Sequence, residues 1–171
     1  MAEKIATSSN KPDSPLSALG LGVIGATFFL DQATKIWAEN TLTYGEQIDL
    51  LPILSLYRVY NSGIAFSLLA GFETIGLIVL VLVVTAAVLL IWWRTADGGR
   101  LAAIGYALVV GGALGNLIDR LAYGHVVDFL YLHLGTQPLF VFNLADAALT
   151  AGPAILILVF ILPGGAAGNE S

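Results

Sequence analysis

Four apolar segments dominate the chain, and each is long enough to cross the hydrocarbon core of a bilayer, which takes roughly 20 helical residues. They cover 16–37, 75–93, 101–121 and 141–162. Only 11% of the residues are charged, whereas charged residues make up about a quarter of an average soluble domain. The sequence therefore predicts one α-helical integral membrane domain with four transmembrane helices. The tails 1–14 and 164–171 are predicted to be disordered.

Composition excludes several kinds of chemistry. The chain has no cysteine, which excludes disulfides, thiolate nucleophiles and cysteine metal sites. Its two histidines, His125 and His133, are too few for a catalytic zinc site, which usually takes three protein ligands, and we interpret both as surface loop residues. The seven lysines and arginines are scattered along the chain and form no footprint for nucleic acid. We therefore expect no metal, no cofactor and no nucleic-acid partner.

Lysine and arginine in short loops orient the spans, because these residues are enriched on the cytoplasmic side. Lys4 and Lys11 precede the first span, and Arg94 and Arg100 flank the loop between the second and third spans. Both termini are therefore predicted to be cytoplasmic. The loops after the first and third spans then lie on the outer side of the membrane.

Segment 39–71, between the first two spans, departs from the helical pattern. It is rich in β-branched and aromatic residues over IDLLPILSLYRVYNSGIAFSLL and contains the turn residues Gly45, Pro52 and Gly63. Strand signals bounded by turn residues indicate a hairpin or small sheet. Because non-helical backbone cannot face lipid in the bilayer core, we predict a small outer β segment between helices 1 and 2. A second non-helical piece, 122–140, joins spans three and four.

The predicted topology brings the polar residues of three spans to the outer end of the bundle. The first span runs outward and carries its polar pair in its last turns, the third span ends in a polar cluster, and the fourth span begins with one. These residues are Asp31, Lys35, Asn116, Asp119, Arg120, Asn143 and Asp146, with Asp128 on the loop between the last two spans. Ionisable residues inside a membrane protein indicate a functional site by default.

Purely structural roles are also open for most of these residues. Asp31 and Lys35 are spaced i,i+4 and can form an ion pair on one helix face. Asp119 and Arg120 end a helix, where arginine suits the C-terminal dipole. Asn143 can cap the fourth helix, which places the Asp146 carboxylate three residues on, where it also suits a helix N-terminus.

Asp128 has the weakest structural explanation, because it lies in the apolar stretch HVVDFLYL with no basic partner at helical spacing. Burial raises the pKa of such a carboxyl, and a second carboxyl nearby raises one of the pair further. Two aspartates sharing one proton can hydrolyse a peptide, one as a base for water and the other as a donor to the carbonyl oxygen. No Ser–His or Cys–His pairing is evident, so a pair made of Asp128 and Asp146 is the simplest hydrolytic site.

Two alternatives remain open from the residues alone. The enzyme could instead use Asp119 with Asp146, although we expect the adjacent Arg120 to keep Asp119 ionised. The chain could also be a small non-enzymatic carrier or subunit. Carriers commonly place ionisable groups near the midplane within repeated halves, and this chain shows neither feature.

Five motifs occur in order along this four-span pattern. They are DQATK at 31–35, NSGIAF at 61–66, GNLIDR at 115–120, VVDF at 126–129 and FNLAD at 142–146. In these motifs and their order the chain closely resembles the bacterial lipoprotein signal peptidases (signal peptidase II, or prolipoprotein signal peptidase), a family of aspartyl peptidases. The resemblance covers about residues 16–160.

The resemblance implies an intramembrane aspartyl endopeptidase of the bacterial inner membrane, with its active site at the outer face. Such an enzyme removes the signal peptide of a diacylglyceryl-modified prolipoprotein just before the lipidated cysteine, works among membrane lipids and is inhibited by globomycin. The family's catalytic aspartates match Asp128 and Asp146, and its outer β-cradle matches 39–71. The positions that match supporting or substrate-binding residues are Asp31, Lys35, Asn61, Gly63, Asn116, Asp119, Arg120 and Asn143.

Overall fold

Four helices and one four-stranded sheet are formed within residues 11–63 and 73–161, which the computed structural model describes. The helices are α1 (Ala18–Thr41), α2 (Glu73–Arg94), α3 (Gly99–Tyr123) and α4 (Leu144–Ile161). The strands are β1 (Gln47–Leu51), β2 (Leu54–Asn61), β3 (Val126–Leu134) and β4 (Gln137–Phe142). Residues 164–171, the first ten residues of the predicted N-terminal tail and the end of the NSGIAF motif lie outside the described residues.

Three of these helices are long and apolar enough to cross a membrane, namely α2 from Ile75 onward, α3 and α4. α1 has 24 residues, which is also enough for a span, but the polar DQATK turn lowers its hydropathy. The predicted helical architecture with several spans is confirmed. The placement of α1 across the bilayer stays a prediction.

The sheet is larger than predicted, because the loop between α3 and α4 also contributes strands. We expected a small sheet between helices 1 and 2 alone, with 122–140 simply non-helical. Instead, the loop between α3 and α4 supplies β3 and β4, and the antiparallel strand order is β1-β2-β3-β4. The fourth helix begins at Leu144 rather than at 141, because residues 137–142 form β4 and pair with β3. The pairing of Asn61 with Val126 and of Tyr60 with Val127 fixes the register at the site.

Helix α3 is the centre of the bundle, because it packs against α1, α2 and α4. Its glycines Gly111, Gly112 and Gly115 let the neighbouring helices approach closely. A Cβ at Gly112 would lie 2.6 Å from the backbone oxygen of Ala145, and one at Gly115 would lie 2.5 Å from the Asp31 carboxylate. The third helix therefore contacts backbone and polar groups of its neighbours that a larger residue would displace.

A buried polar cluster holds the middle of the sheet, and it corrects two expectations. His133 is not a surface loop residue, since it lies in β3 and is 6% exposed. A Ser–His contact also exists, because Ser55 Oγ lies 2.7 Å from His133 Nε2. However, Ser55 is fully buried and the carboxylate of Asp49 accepts from Ser55 rather than from the histidine. The cluster joins three strands and does not present a nucleophile to solvent.

We predict that Ser55→Ala destabilises the protein by about 1–3 kcal/mol, because the buried imidazole of His133 loses a hydrogen-bond partner. Unfolding in detergent by heat or denaturant, followed by circular dichroism, measures the change. Thr41→Ala is the control, since Thr41 is exposed at the end of α1 and surface changes usually stay within about 0.5 kcal/mol. Equal stability of the Ser55 and Thr41 variants would show that the cluster does not hold the sheet.

Candidate active site

The polar residues meet where α1, α3 and the start of α4 face β3. At the centre lies the Lys35 ammonium, whose side chain is 3% exposed. Its Nζ is 2.8 Å from the Asp31 carboxylate and 2.9 Å from the Asp119 carboxylate, and it donates to Asn116 Oδ1 at 2.9 Å. The predicted ion pair between Asp31 and Lys35 is therefore present, with Asp119 as a second acid.

Both acids of this Lys35 network are satisfied on their other oxygen. The backbone N–H of Ala145, in the first turn of α4, donates to Asp31 Oδ1 at 2.9 Å. Gln32 Nε2 donates to Asp119 Oδ1 at 2.9 Å. Buried charges are stable only when they are paired and hydrogen-bonded. Here the Lys35 ammonium, the Gln32 side-chain amide and the N-terminus of α4 together satisfy the two carboxylates.

Asp128 lies apart from this network, on β3, where it is 2% exposed. Its Oδ1 accepts from Asn143 Nδ2 at 2.7 Å and its Oδ2 accepts from Asn61 Nδ2 at 2.9 Å. Burial is the main cause that raises the pKa of Asp128 to about 6, and the nearby charge of Asp146 raises it further. The two amide donors favour the ionised form and oppose that shift. The carboxyl can therefore hold a proton under mildly acidic conditions.

Asp146 belongs to the first turn of α4 and is half-buried. Its backbone N–H donates to Asn143 Oδ1 at 2.9 Å, and its Oδ2 accepts from the Asn143 N–H at 3.2 Å. This reciprocal pair is a capping box, so the capping role expected of Asn143 is confirmed. Asp146 Oδ1 accepts from Asn116 Nδ2 at 2.7 Å, which links the carboxylate to α3 as well.

Two asparagines join the Lys35 network to both remaining aspartates. Asn116 accepts from Lys35 and donates to Asp146. Asn143 donates to Asp128 and also, at 3.1 Å, to Asn116 Oδ1. The side-chain amide can donate and accept at once, so these residues fix the two carboxyl groups relative to one another.

Arg120 and Asp119 do not pair in the way that we expected. Asp119 takes Lys35 as its ionic partner, and Arg120 donates to the Asn116 carbonyl at 3.1 Å. The Arg120 Nε has no hydrogen-bond partner among the described residues, while its charge interacts with those of Asp146 and Asp128. The guanidinium therefore lies within electrostatic range of all three of these aspartates, Asp119, Asp128 and Asp146.

The remaining predicted residues lie at the edge of the site. Gly63 donates its N–H to Asn61 Oδ1 at 2.9 Å and has a φ of +79°, which a glycine adopts without strain. Sequence analysis did not single out Gln32, although its position beside Asp31 in DQATK is the signal that could have found it. No group of three or more His, Asp or Glu side chains within 11–63 and 73–161 is arranged to hold a metal ion.

Solved structures share this fold. The chain superposes on a bacterial membrane enzyme solved by the in meso method at 1.9 Å resolution with a TM-score of 0.80 and 24% identity, covering 92% of this chain and 100% of that one. A second such structure, at 2.3 Å, gives a TM-score of 0.79 and 23% identity, with 96% and 99% covered. The fold is thus that of a bacterial membrane enzyme.

Sequence comparisons identify the family. The family model described as Signal peptidase (SPase) II matches residues 23–162. Lipoprotein signal peptidases of Brucella ovis and Brucella melitensis are 49% identical over 138 residues, which cover 81% of this chain and 86% of each relative. The chain belongs to the signal peptidase II family. It is therefore a peptidase and a multi-pass membrane protein, and the carrier alternative is wrong.

We predict that Asp128 loses its proton with a midpoint near pH 6, since burial disfavours its charged form. Infrared difference spectra of the purified protein measure this through the C=O band of the protonated carboxyl, which Asp128→Asn should remove. Asn61→Leu takes away a donor to the ionised form, so the midpoint should rise by about one unit. A midpoint near the ordinary value of 3.8 would contradict the prediction.

Proposed function

We propose that the protein is an intramembrane aspartyl endopeptidase that cleaves diacylglyceryl-modified prolipoproteins just before the lipidated cysteine. Family membership supports the removal of signal peptides from prolipoproteins. The observation that carries the aspartyl mechanism is the position of Asn143, which donates to Asp128 and caps the helix turn that bears Asp146. The proposed catalytic pair is therefore Asp128 and Asp146.

The proposed orientation places all four helices across the inner membrane, with both termini in the cytoplasm. α1 would run outward, which brings Asp31 and Lys35 to the same outer level as the end of α3 and the start of α4. The burial of these charges inside the protein supports this placement, because the ammonium never faces lipid. The sheet and the catalytic pair would then lie at the outer face, where water and the lipid anchor of a substrate are both within reach.

The chemistry needs one ionised and one protonated aspartate. The ionised carboxylate removes a proton from a water molecule as its oxygen attacks the scissile carbonyl carbon. The protonated carboxyl donates to the carbonyl oxygen, and when the C–N bond breaks a proton passes to the leaving amine. Asp128, with its raised pKa, can hold the shared proton, although a coupled pair titrates as a unit. The Arg120 charge offsets part of the negative charge that develops.

The other residues of the site have positioning roles in this proposal. Asp31, Lys35 and Asp119 brace α1 against α3, and Asn116 and Asn143 transmit that geometry to the catalytic pair. Asn61 and Gly63 lie on the side of Asp128 from which the substrate backbone would approach. The proposed substrates are prolipoproteins held among membrane lipids, and globomycin is the proposed inhibitor.

Asp128→Asn and Asp146→Asn should each lower the cleavage rate by at least about a thousandfold, because an amide can neither accept the water proton nor share one. The assay incubates purified protein with a diacylated prolipoprotein and follows the mass of the released signal peptide. Asp97→Asn, in the exposed loop between α2 and α3, is the matched control and should retain full activity. Globomycin should stop cleavage by the wild type. Full activity of Asp128→Asn would exclude this catalytic pair.

The alternative pair of Asp119 and Asp146 makes a different prediction. Both Asp119 oxygens face donors of the Lys35 network, so we expect Asp119→Asn to retain partial cleavage while lowering thermal stability. Side-by-side rates for Asp119→Asn and Asp128→Asn decide between the pairs. A loss as large as that of Asp128→Asn, in a variant that still unfolds at the wild-type temperature, would favour Asp119 as a catalytic residue.

A further inference from the structure

A cavity of about 490 Å³ opens behind the catalytic pair, on the opposite face of the sheet. Tyr60 and Val127 are paired across β2 and β3, and both line this cavity. Because successive side chains of a strand point to opposite faces, Asn61 and Asp128 point away from it, toward the site described above. We call this cavity the back-face pocket.

The back-face pocket has an acidic and aromatic wall. That wall includes Gln32, Lys35, Glu39, Tyr60, Tyr123 and His125. The Lys35 charge is already matched by two aspartates. Glu39 is an exposed carboxylate of the wall, and its ionic partner Arg58, 3.6 Å away, does not line the cavity. The rings of Tyr60 and His125 are 4.2 Å apart, and those of Tyr123 and His125 are 6.1 Å apart. A carboxylate beside aromatic rings is a receptor for an ammonium group.

An apolar groove of about 440 Å³ follows the same two helices further into the bundle. Its walls include Ile24, Gly25, Phe28, Leu114, Leu117 and Ile118. Along α1 the groove and the pocket share one stripe at helical spacing, since 24, 25 and 28 are followed by 32, 36 and 39. The groove and the pocket therefore form a path between α1 and α3 from an apolar end to a polar end.

The spacing of the two cavities matches one leaflet of a bilayer. Gly25 in the groove and Glu39 in the pocket are fourteen residues apart on α1, which corresponds to about 21 Å along the helix axis. Half of a bilayer with its head groups is about 20–22 Å. A molecule with an acyl chain in the groove would thus place its head group in the pocket.

We propose that this path binds a resident phospholipid with an ethanolamine head group, in addition to the substrate that the catalytic pair cleaves. One acyl chain fills the groove between α1 and α3, and the ammonium contacts Glu39 and the rings of Tyr60 and His125. The guanidinium of Arg58 lies 3.6 Å from the Glu39 carboxylate, so both signs of a zwitterionic head group have a counterpart. The inference rests on the proposed passage of α1 across the bilayer.

Native mass spectrometry of the delipidated full-length protein tests the proposal, with phosphatidylethanolamine and phosphatidylglycerol of identical acyl chains as probes. One ethanolamine lipid should bind about tenfold more tightly than the glycerol lipid. Glu39→Gln should lower that affinity about tenfold, the scale of a lost hydrogen bond to a charged group. Glu46→Gln, an exposed carboxylate outside the pocket, is its control and should bind as the wild type does.

The groove is tested by Gly25→Leu, whose side chain would project into open space and fill the place of the acyl chain. Gly22→Leu is a matched control, because a Cβ there also meets nothing within 4 Å and Gly22 does not line the groove. We expect lipid binding to fall at least about tenfold in the first variant alone. Both changes replace glycine in a helix with a better helix former, so folding is preserved.

Three results would overturn the proposal: equal affinity for the two lipids, wild-type binding by Gly25→Leu, or displacement of the ethanolamine lipid by the diacylated prolipoprotein. The last would assign the groove to the substrate's own lipid. Cleavage is measured on the same preparations. A wild type that binds the lipid but cleaves nothing would contradict the proposed function alone, so the two failures are distinguishable.

Discussion

The buried ammonium of Lys35 is the interaction on which the arrangement of the site depends. It pairs with Asp31 on its own helix and with Asp119 on α3, while Asp31 also accepts from the first turn of α4. Three helices are therefore held at one level by one positive charge. Removing the Lys35 ammonium would leave two buried carboxylates without an ionic partner, and breaking a buried ion pair typically destabilises a protein by about 3–5 kcal/mol. The second negative charge is tolerated because the helix N-terminus carries partial positive charge.

The aspartates of the site differ in the groups that pair with them. Asp31 and Asp119 pair with the Lys35 ammonium, whereas Asp128 receives hydrogen bonds from the neutral amides of Asn61 and Asn143. Burial has the largest effect on the Asp128 carboxyl and raises its pKa, although the two amides favour the ionised form. A carboxyl that exchanges its proton near neutral pH suits acid–base catalysis. The amides can hold that carboxyl in place without fixing its charge.

The level of the polar residues and their partners within one helix, such as Asp31 with Lys35, could be predicted from the sequence, but partners on different helices could not. Helices rise by a constant 1.5 Å per residue, so the predicted helix boundaries and the alternating direction of the helices were enough to place Asp31, Asn116 and Asp146 at one end of the bundle. The ionic partner of Asp119 depends on the rotation of α3, which adjacency in sequence does not reveal, and Arg120 was therefore the wrong choice. The sheet was only half predicted, because β3 pairs with a strand more than sixty residues earlier. The contact between Ser55 and His133 follows from that pairing.

The alternation of side chains along β3 has a functional consequence. Asp128 faces Asn61 and Asn143, whereas Val127 faces the back-face pocket, whose lining includes Lys35 and Asp119. The Lys35 network is thus shared by both sides of the sheet. A lipid that displaces water from the pocket lowers the local dielectric constant, and the attraction between Lys35 and Asp119 then becomes stronger. Because Asn116 accepts from Lys35 and donates to Asp146, a stronger attraction between Lys35 and Asp119 would also hold the Asp146 carboxylate more firmly.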